Sequence, residues 1–368
     1  MVHPSQPELS EVRNFLLLQY PLALGTAVHA TPLIAAIHAA IPDARVSAAA
    51  SGFALEVLRG NPGIERLIPT PTPLRELLPA ANAIRRANVF GRERYAVLLT
   101  TGNERSRIIL AALLSGSPTR VGFTLVPELA VETLRFDPRI SQIANNLRIL
   151  ESLGHGPALL EQLQSNPGLL EPEVFFRATE LATARALLRE GVPAGHPTTA
   201  FVMQGSGGQR TGWHDDRFAA VIRHVESRGH HIVFLGTASD AANIDRIRAL
   251  ANSNGHSFAG RTSIPELTAL LCVCDFLVTL DTGTMHLGRA ADLPMVILGP
   301  SWQRPIEWMP LGKPNVRILR GEDRQDVPLN YRLDEIEEVE VIAAIENLQH
   351  GFPPSTQMHE RRIARLLR

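Results

Sequence analysis

The chain has 368 residues, of which 45% are hydrophobic and 20% are charged, and its formal net charge is −1. This length is too great for one ordinary core, so two domains are expected, and the apolar content excludes an intrinsically disordered chain. The near-neutral charge gives no general affinity for polyanions, which argues against a nucleic-acid-binding protein.

Short apolar strands alternate with amphipathic helices along the first half of the chain, a pattern typical of βαβ units and parallel sheets. A stretch with two prolines and two glycines, Gly191–Pro197, interrupts the pattern and predicts a linker. The predicted strands are Asn14–Tyr20, Arg45–Ser51, Tyr95–Thr101 and Thr119–Phe123, and the predicted helices are Thr26–Ala40, Ile140–Leu153 and Thr179–Glu190.

The same alternation restarts after the linker. It predicts strands Thr199–Gln204, His231–Gly236, Phe276–Leu280, Pro294–Pro300 and Val316–Leu319, and helices Asp215–Arg228, Asp240–Asn252, Ser263–Cys272 and Leu333–Gln349. The predicted organisation is an N-terminal domain (1–190), a linker (191–198), a C-terminal domain (199–332), and a terminal helix with a basic tail (333–368).

The most specific segment is Asp281-Thr282-Gly283-Thr284-Met285-His286, which lies between two of the predicted strands. A strand that is followed by a carboxylate, a small-residue turn and a helix start reaches the carboxyl edge of a parallel sheet, where ligands bind. Free N–H groups near Thr284 can bind a phosphate there, and His286 lies on the same helical turn. The alternative is a capped helix with an incidental histidine.

Two further loops follow predicted strands. Gly25, Thr26 and His29 begin the first helix, where Thr26 can act as a cap and His29 shares its face; a core or capping role is the alternative. In the second half, a Gly-rich loop with a cationic end can form an anion-binding nest, although an ordinary turn explains it equally well. Its candidate residues are Gln204, Ser206, Gly207 and Arg210.

Four motifs occur together between Asn14 and Leu319. They are the strand-to-helix segment Leu24–Leu33; the Gly-rich loop followed by Trp213 and Arg217-Phe218; the turn Gly260–Ser263 before Glu266-Leu267; and Asp281–His286 followed by Leu293-Pro294 and Gly299-Pro300. Together they resemble the family 9 glycosyltransferases, the group of ADP-heptose:lipopolysaccharide heptosyltransferases.

The resemblance implies an α/β protein of GT-B architecture, with two Rossmann-like domains whose parallel sheets face a central cleft. It makes residues 1–190 the acceptor-side domain and residues 199–332 the nucleotide-sugar-binding domain. It implies a glycosyltransferase that inverts the anomeric centre, needs no metal or other cofactor, and uses a nucleotide-sugar donor, ADP-heptose by family default. Asp281, Thr282, Gly283 and Thr284 would lie against the diphosphate and sugar, and His286 near the phosphates. The remaining members of the expected donor-binding set are Gly25, Gln204, Ser206, Gly207 and Arg210.

The chain departs from the family pattern at two places. After the first strand the family has Gly-Asp, with the aspartate proposed as general base, whereas this chain has Thr26, whose hydroxyl does not titrate near neutral pH. The family lysine before the Trp is also missing, and Arg210 is the nearest cation to Trp213. His29 is therefore the candidate replacement base, and Thr26 and His29 form the predicted catalytic pair.

Three hypotheses for function remain. The leading one is a sugar transferase that acts on a glycan, lipid-linked or small-molecule acceptor. The second is a catalytically inactive pseudo-glycosyltransferase that binds nucleotide sugar or glycan, and the third is a sugar-nucleotide epimerase or hydrolase. No Asp-x-Asp element lies at a strand end, which predicts metal independence.

Location and thiol chemistry are also predicted. No apolar run approaches the roughly 18 residues of a membrane span, and residues 1–10 lack the apolar region of a signal peptide, so a cytoplasmic protein is expected. The basic tail His359–Arg368 is a candidate for peripheral contact with an anionic membrane surface, and a solvated helix end is the alternative. Cys272 and Cys274 are expected to be buried small hydrophobes.

Overall fold

Two six-stranded parallel sheets, one in each half of the chain, organise the fold. A computed structural model describes residues 9–87, 95–117, 119–193, 195–205, 212–325 and 331–368. The chain divides into unit 1, Met1–Glu173, and unit 2, Val174–Arg368.

The sheet of unit 1 has the strand order β3-β2-β1-β4-β5-β6, and every neighbouring pair is parallel. The order reverses between β1 and β4, which is the topological switch point where open α/β sheets bind ligands. The strands are β1 (Asn14–Gln19), β2 (Arg45–Ala50), β3 (Arg66–Pro69), β4 (Tyr95–Leu99), β5 (Thr119–Phe123) and β6 (Glu132–Leu134). The helices are α1 (Leu24–His29), α2 (Thr31–Ala40), α3 (Phe53–Leu58), α4 (Leu77–Arg86), α5 (Ser106–Leu114), α6 (Gln142–Ser152) and α7 (Gly156–Ser165).

Unit 2 repeats this topology, with the strand order β12-β11-β10-β7-β8-β9 and its switch point between β7 and β10. The strands are β7 (Thr198–Val202), β8 (His231–Phe234), β9 (His256–Ser257), β10 (Phe276–Leu280), β11 (Met295–Leu298) and β12 (Val316–Leu319). The helices are α8 (Ala178–Gly191), α9 (Asp215–Ser227), α10 (Ala241–Ala251), α11 (Ile264–Val273), α12 (Gly283–Ala290), α13 (Pro305–Trp308), α14 (Glu338–Gly351) and α15 (Thr356–Leu366).

The central strands are buried along almost their whole length, as expected where helices cover both faces of a parallel sheet. All residues of β7 and β10 are buried, as are the last five of β1. Trp213, one of the family-like residues, is buried in the core of unit 2, packs edge-on against Phe218 and donates its indole N–H to the carbonyl of Ile336 at 2.9 Å. Trp213 therefore stabilises the core of unit 2.

The boundary between the units lies before the predicted linker. Helix α8, expected to end the N-terminal domain, belongs to unit 2, where it packs against α11 and where Glu190 pairs with Arg261 at 2.6 Å. The stretch 191–198 therefore connects a helix to a strand within one unit. Proline and glycine mark any tight connection, so their presence did not distinguish a loop from a linker.

The predicted helix Thr26–Ala40 is two helices that meet at Ala30. Pro32 has no N–H with which to continue the helix from the carbonyl of Val28, and the hydroxyl of Thr31 donates to that carbonyl instead, at 2.8 Å. The first helix, α1, consequently ends at His29, and the second helix has proline in its first turn.

The basic tail packs on unit 2 and is not a solvated helix end. Arg362 is 4% exposed and donates to the carbonyl of Cys274 at 2.9 Å, and Arg365 donates to the carbonyl of Ala290. Arg368 lies over the ring of Phe175 at 4.5 Å. Three of the four tail arginines thus make contacts within the protein.

The described part of the chain bears on two further expectations, one about membrane-spanning helices and one about the cysteines. Among those residues, no helix has the length and apolar character that crossing a membrane requires. Cys272 and Cys274 are free and buried, as predicted, and burial raises the pKa of the Cys272 thiol to about 12.

Candidate active site

The switch point of unit 2 brings the predicted donor motif to the carboxyl edge of the sheet. Thr279 of β10 pairs with Val202 of β7, so the loops that follow these two strands lie side by side. Helix α12 begins at Gly283, directly after the loop residues Asp281 and Thr282. The motif therefore occupies the position at which doubly wound sheets bind nucleotides.

The Asp281 side chain is 2% exposed and is held by a short polar chain. The Gln303 amide is assigned the orientation in which both its nitrogen and its oxygen form hydrogen bonds. In that orientation the NH₂ group donates to Asp281 Oδ2 at 2.8 Å, and the amide oxygen accepts from Trp308 Nε1 at 2.7 Å. Burial raises the pKa of Asp281 to about 6, and the hydrogen bond from Gln303 opposes that rise. The protein thus keeps a costly buried carboxyl group at the edge where ligands bind.

Sequence reasoning missed Gln303 and Trp308. They lie beyond the carboxyl end of β11, the neighbour of β10, and so reach the same edge of the sheet. The available signal was Gly299-Pro300, which ends the predicted strand. Inspection of the polar residues after that strand would have produced Gln303 as a candidate.

His286 is the fourth residue of α12 and is 4% exposed. Its ring meets the Trp308 ring edge-on, with centroids 5.9 Å apart. Burial, together with the charge of Arg289, lowers the pKa of His286 to about 3, so the imidazole is neutral at physiological pH. A neutral imidazole can donate one hydrogen bond to a ligand oxygen but cannot form an ion pair with it.

The start of α12 leaves polar groups available to a ligand. Thr282 is the N-cap residue, yet its hydroxyl makes no capping bond, and Oγ1 is buried without a hydrogen-bond partner within the described ranges. Gly283 and Thr284 are only half-buried. Backbone N–H groups at a helix start attract anions, so this arrangement suits a phosphate or diphosphate.

The Gly-rich loop of the predicted donor site is described only in part. Gln204 is half-buried and follows β7 at the same edge as Asp281. Ser206, Gly207 and Arg210 lie outside the described residues, so their predicted contacts with the donor remain predictions.

In unit 1, the structure buries the predicted catalytic residues. Thr26 lies inside α1 and is not its cap, since the N-cap position is Ala23, and Gly25 precedes it in the same helix. Thr26 is 6% exposed and His29 is 1% exposed. Such burial favours the core role that the sequence left open for His29, and its role as a base stays a prediction.

The carboxyl edge of unit 1 also carries a polar network that sequence reasoning missed. Thr100 Oγ1 is contacted at 2.7 Å by Gln19 Nε2 and at 3.0 Å by Asn103 Nδ2. The Tyr20 N–H donates to Asn103 Oδ1 at 2.6 Å. This network fixes the loop after β4 against the end of β1, at the switch point of the sheet.

Metal binding has no support in the described ranges, which contain no group of three or more His, Cys, Asp or Glu side chains arranged to hold an ion. The prediction that catalysis needs no metal remains to be tested by experiment.

Comparison with known proteins tests the predicted family resemblance. Residues 158–336 match the family model described as glycosyltransferase family 9 (heptosyltransferase). The predicted resemblance to family 9 is confirmed. The matched segment contains all six strands of unit 2 and the whole of Asp281–His286.

A curated relative is named as a heptosyltransferase. Lipopolysaccharide heptosyltransferase 3 of Escherichia coli K12 is 28% identical over 153 residues, which cover 39% of this chain and 44% of that protein. The chain thus aligns with less than half the length of this curated relative.

Solved structures of family 9 proteins show the same fold. A family 9 glycosyltransferase from Veillonella parvula superposes with a TM-score of 0.78 at 20% identity, covering 94% of this chain and 99% of that one. The ADP-heptose lipopolysaccharide heptosyltransferase II of E. coli gives a TM-score of 0.73 at 19% identity, with 91% and 98% covered. The predicted α/β fold with two parallel-sheet units is confirmed.

Proposed function

We propose that the protein is a glycosyltransferase that moves a sugar from a nucleotide-diphosphate donor to a hydroxyl acceptor, with inversion and without a metal ion. The observation that carries this proposal is the position of Asp281–His286 at the switch point of unit 2, within the segment that matches family 9. The E. coli structural relative is named for ADP-heptose, which makes ADP the first nucleotide and heptose the first sugar to test.

Unit 2 would bind the donor through the start of α12. When the bond from the sugar to the diphosphate breaks, negative charge develops on the leaving phosphate oxygen. N–H groups of the first helical turn, the Thr282 hydroxyl and a donor nitrogen of His286 can stabilise this charge as preorganised dipoles. Their burial strengthens these interactions relative to water.

The catalytically inactive alternative gains no support from the comparisons, because the curated relatives that match by sequence are named as heptosyltransferases. The acceptor would be a glycan, a lipid-linked molecule or a small molecule with a free hydroxyl. The expected cytoplasmic location and peripheral membrane contact remain predictions. Among the tail arginines, Arg362, Arg365 and Arg368 contact other parts of unit 2, and Arg361 is exposed.

The proposal is tested with ADP-, GDP-, UDP- and dTDP-sugars, first by thermal shift and then in a transfer assay with the sugars that bind. A ligand that binds only the native state raises the melting temperature by mass action, so the preferred nucleotide gives the largest shift. We expect ADP-sugars to give that shift and to support transfer. Binding without transfer to any acceptor tested would favour the inactive alternative, and no binding would reject the donor site.

The replacement of His286 with alanine is expected to weaken binding of the preferred nucleotide by about 1.5–3 kcal/mol, the usual range for a hydrogen bond to a charged group. Because the imidazole is neutral, this loss should be nearly constant from pH 6 to pH 8. Calorimetric titration measures it, with the exposed His350→Ala in α14 as control. Unchanged affinity in His286→Ala would remove His286 from the site.

Metal independence is a second expected result. Protein dialysed against EDTA should retain its transfer rate, and added Mg²⁺ or Mn²⁺ should change that rate less than about twofold, because dipoles rather than an ion meet the leaving-group charge. Strict dependence on either ion would contradict the proposed chemistry.

A further inference from the structure

The transfer proposed above needs a group that accepts the proton of the acceptor hydroxyl. Thr26 occupies the position where the family has a carboxylate, and it has no titratable group in the neutral range. His29 is almost completely buried. A carboxylate held close to Thr26 by another part of unit 1 would fill this role.

The loop after β4 is the part of unit 1 that reaches Thr26. Strands β1 and β4 are neighbours at the switch point, with Leu18 opposite Leu99, so their following loops share the carboxyl edge. Gly102 lies directly on Thr26, since a Cβ built on this glycine would be 2.2 Å from Thr26 Cγ2. Its positive φ of 79° also favours glycine.

Glu104 is fixed to that same glycine. Its Oε1 accepts the Gly102 N–H at 2.8 Å, and its own carbonyl accepts the Leu125 N–H at 2.7 Å. Arg105 donates to the Gly102 carbonyl at 3.3 Å, so both polar groups of this glycine are bound by its neighbours. These contacts hold the Glu104 carboxylate on Gly102, the residue that lies against Thr26.

The two carboxylate oxygens of Glu104 have different surroundings. Oε1 is bound to the backbone, whereas Oε2 has no hydrogen-bond partner within the described ranges, and the side chain is half-buried rather than enclosed. One anchored oxygen fixes the position of the carboxylate, and the other oxygen can then accept a proton from a bound hydroxyl.

We propose that Glu104 is the general base of the transfer reaction and takes the place of the carboxylate that Thr26 lacks. The inference rests on the proposed glycosyltransferase function. Glu104 Oε2 takes the proton of the acceptor hydroxyl while an electron pair of that oxygen forms the bond to the anomeric carbon. The bond from the anomeric carbon to the diphosphate breaks, its electron pair leaves with the nucleoside diphosphate, and Glu104 then releases the proton to water.

The decisive variant is Glu104→Gln, because the glutamine oxygen can still accept the Gly102 N–H while the basic oxygen is lost. We expect turnover at saturating substrates to fall by about 10²–10⁴-fold, the usual contribution of a general base, with donor affinity and melting temperature close to wild type. Glu128→Gln, an exposed carboxylate of the same unit, is the matched control and should keep wild-type turnover.

The outcomes separate this inference from the function on which it rests. A wild type that transfers sugar, combined with a Glu104→Gln variant within tenfold of it, overturns the role of Glu104 and leaves the glycosyltransferase function intact. A wild type that transfers no sugar overturns both. A Glu104→Gln variant that loses stability in proportion to activity would show that the carboxylate only holds the turn.

Discussion

Asp281→Asn is expected to stabilise the protein at neutral pH and to impair sugar transfer. Burial raises the pKa of Asp281 from 3.8 to about 6, so its ionisation is harder in the folded than in the unfolded chain. Two pKa units correspond to roughly 3 kcal/mol, an upper bound because the bond from Gln303 lowers the cost. Asparagine carries no charge, and its oxygen can still accept that bond.

The sign of the pH dependence follows from the raised pKa. The contribution of Asp281 to stability is fully present below its unfolded pKa, near 4, and is lost as the pH rises through about 6. The variant should therefore match wild type near pH 4 and exceed it at pH 7.5. His286, whose pKa is lowered, destabilises both proteins as the pH falls below about 6.5, so its effect cancels in the difference.

Denaturant unfolding of both proteins at several pH values measures this difference, and the transfer assay measures the functional loss. We expect transfer to fall by roughly 10- to 150-fold, since the variant loses a charged hydrogen-bonding group at the donor site. Gln303→Leu is a useful companion, because it should remove the bond that opposes the pKa rise and lower stability at neutral pH. A variant that is less stable than wild type at pH 7.5 would contradict the interpretation of Asp281 as a costly, functional carboxylate.

Sequence predicted the bounds of several strands correctly, including two in the unit that carries this site. Strand β10 has the predicted bounds Phe276–Leu280, because a continuous apolar run followed by Asp-Thr-Gly can only be a buried strand that ends at a turn. β12 also has its predicted bounds, Val316–Leu319. At these positions the local hydrophobic pattern and the tertiary packing favour the same structure, so the local pattern was sufficient to predict the strands.

Sequence reasoning failed where a contact between distant residues decides the outcome. β5 is the last strand that the sequence predicts in the first half, yet the three-residue strand β6 follows it at the edge of the sheet and is too short to give a periodic signal. α8 looked like the end of the first domain because its packing against α11 lies far along the chain. Gln303 and Glu104 each reach their sites from the loop of a neighbouring strand, and only the strand order reveals which loops meet.

The predicted catalytic pair in unit 1 also depends on a contact between distant residues. The spacing of Thr26 and His29 placed them on one helical face, and the structure does place both in α1. The spacing of residues does not reveal whether that face is buried. Thr26 is covered by Gly102, which lies more than 70 residues later in the chain. The assignment of a base thus requires the tertiary structure.

His29→Ala is expected to lower the free energy of unfolding by about 2–4 kcal/mol, because it removes a ring that is 1% exposed and leaves a cavity beneath α1. The hydrogen bond from the Asn146 side-chain Nδ2 to the His29 carbonyl, at 3.1 Å, does not involve the ring and should persist. Turnover of the folded variant should stay within about tenfold of wild type.

His29→Gln distinguishes packing from catalysis more sharply, since glutamine fills much of the space of the ring but has no basic nitrogen. If His29 packs α1 against its neighbours, this variant should recover part of the lost stability and transfer sugar at nearly the wild-type rate. If His29 is the base, turnover should fall by about 10²–10⁴-fold while stability changes little. Measurement of both quantities in Glu104→Gln and His29→Gln, side by side, assigns the proton acceptor, because only one of the two should lose turnover without losing stability.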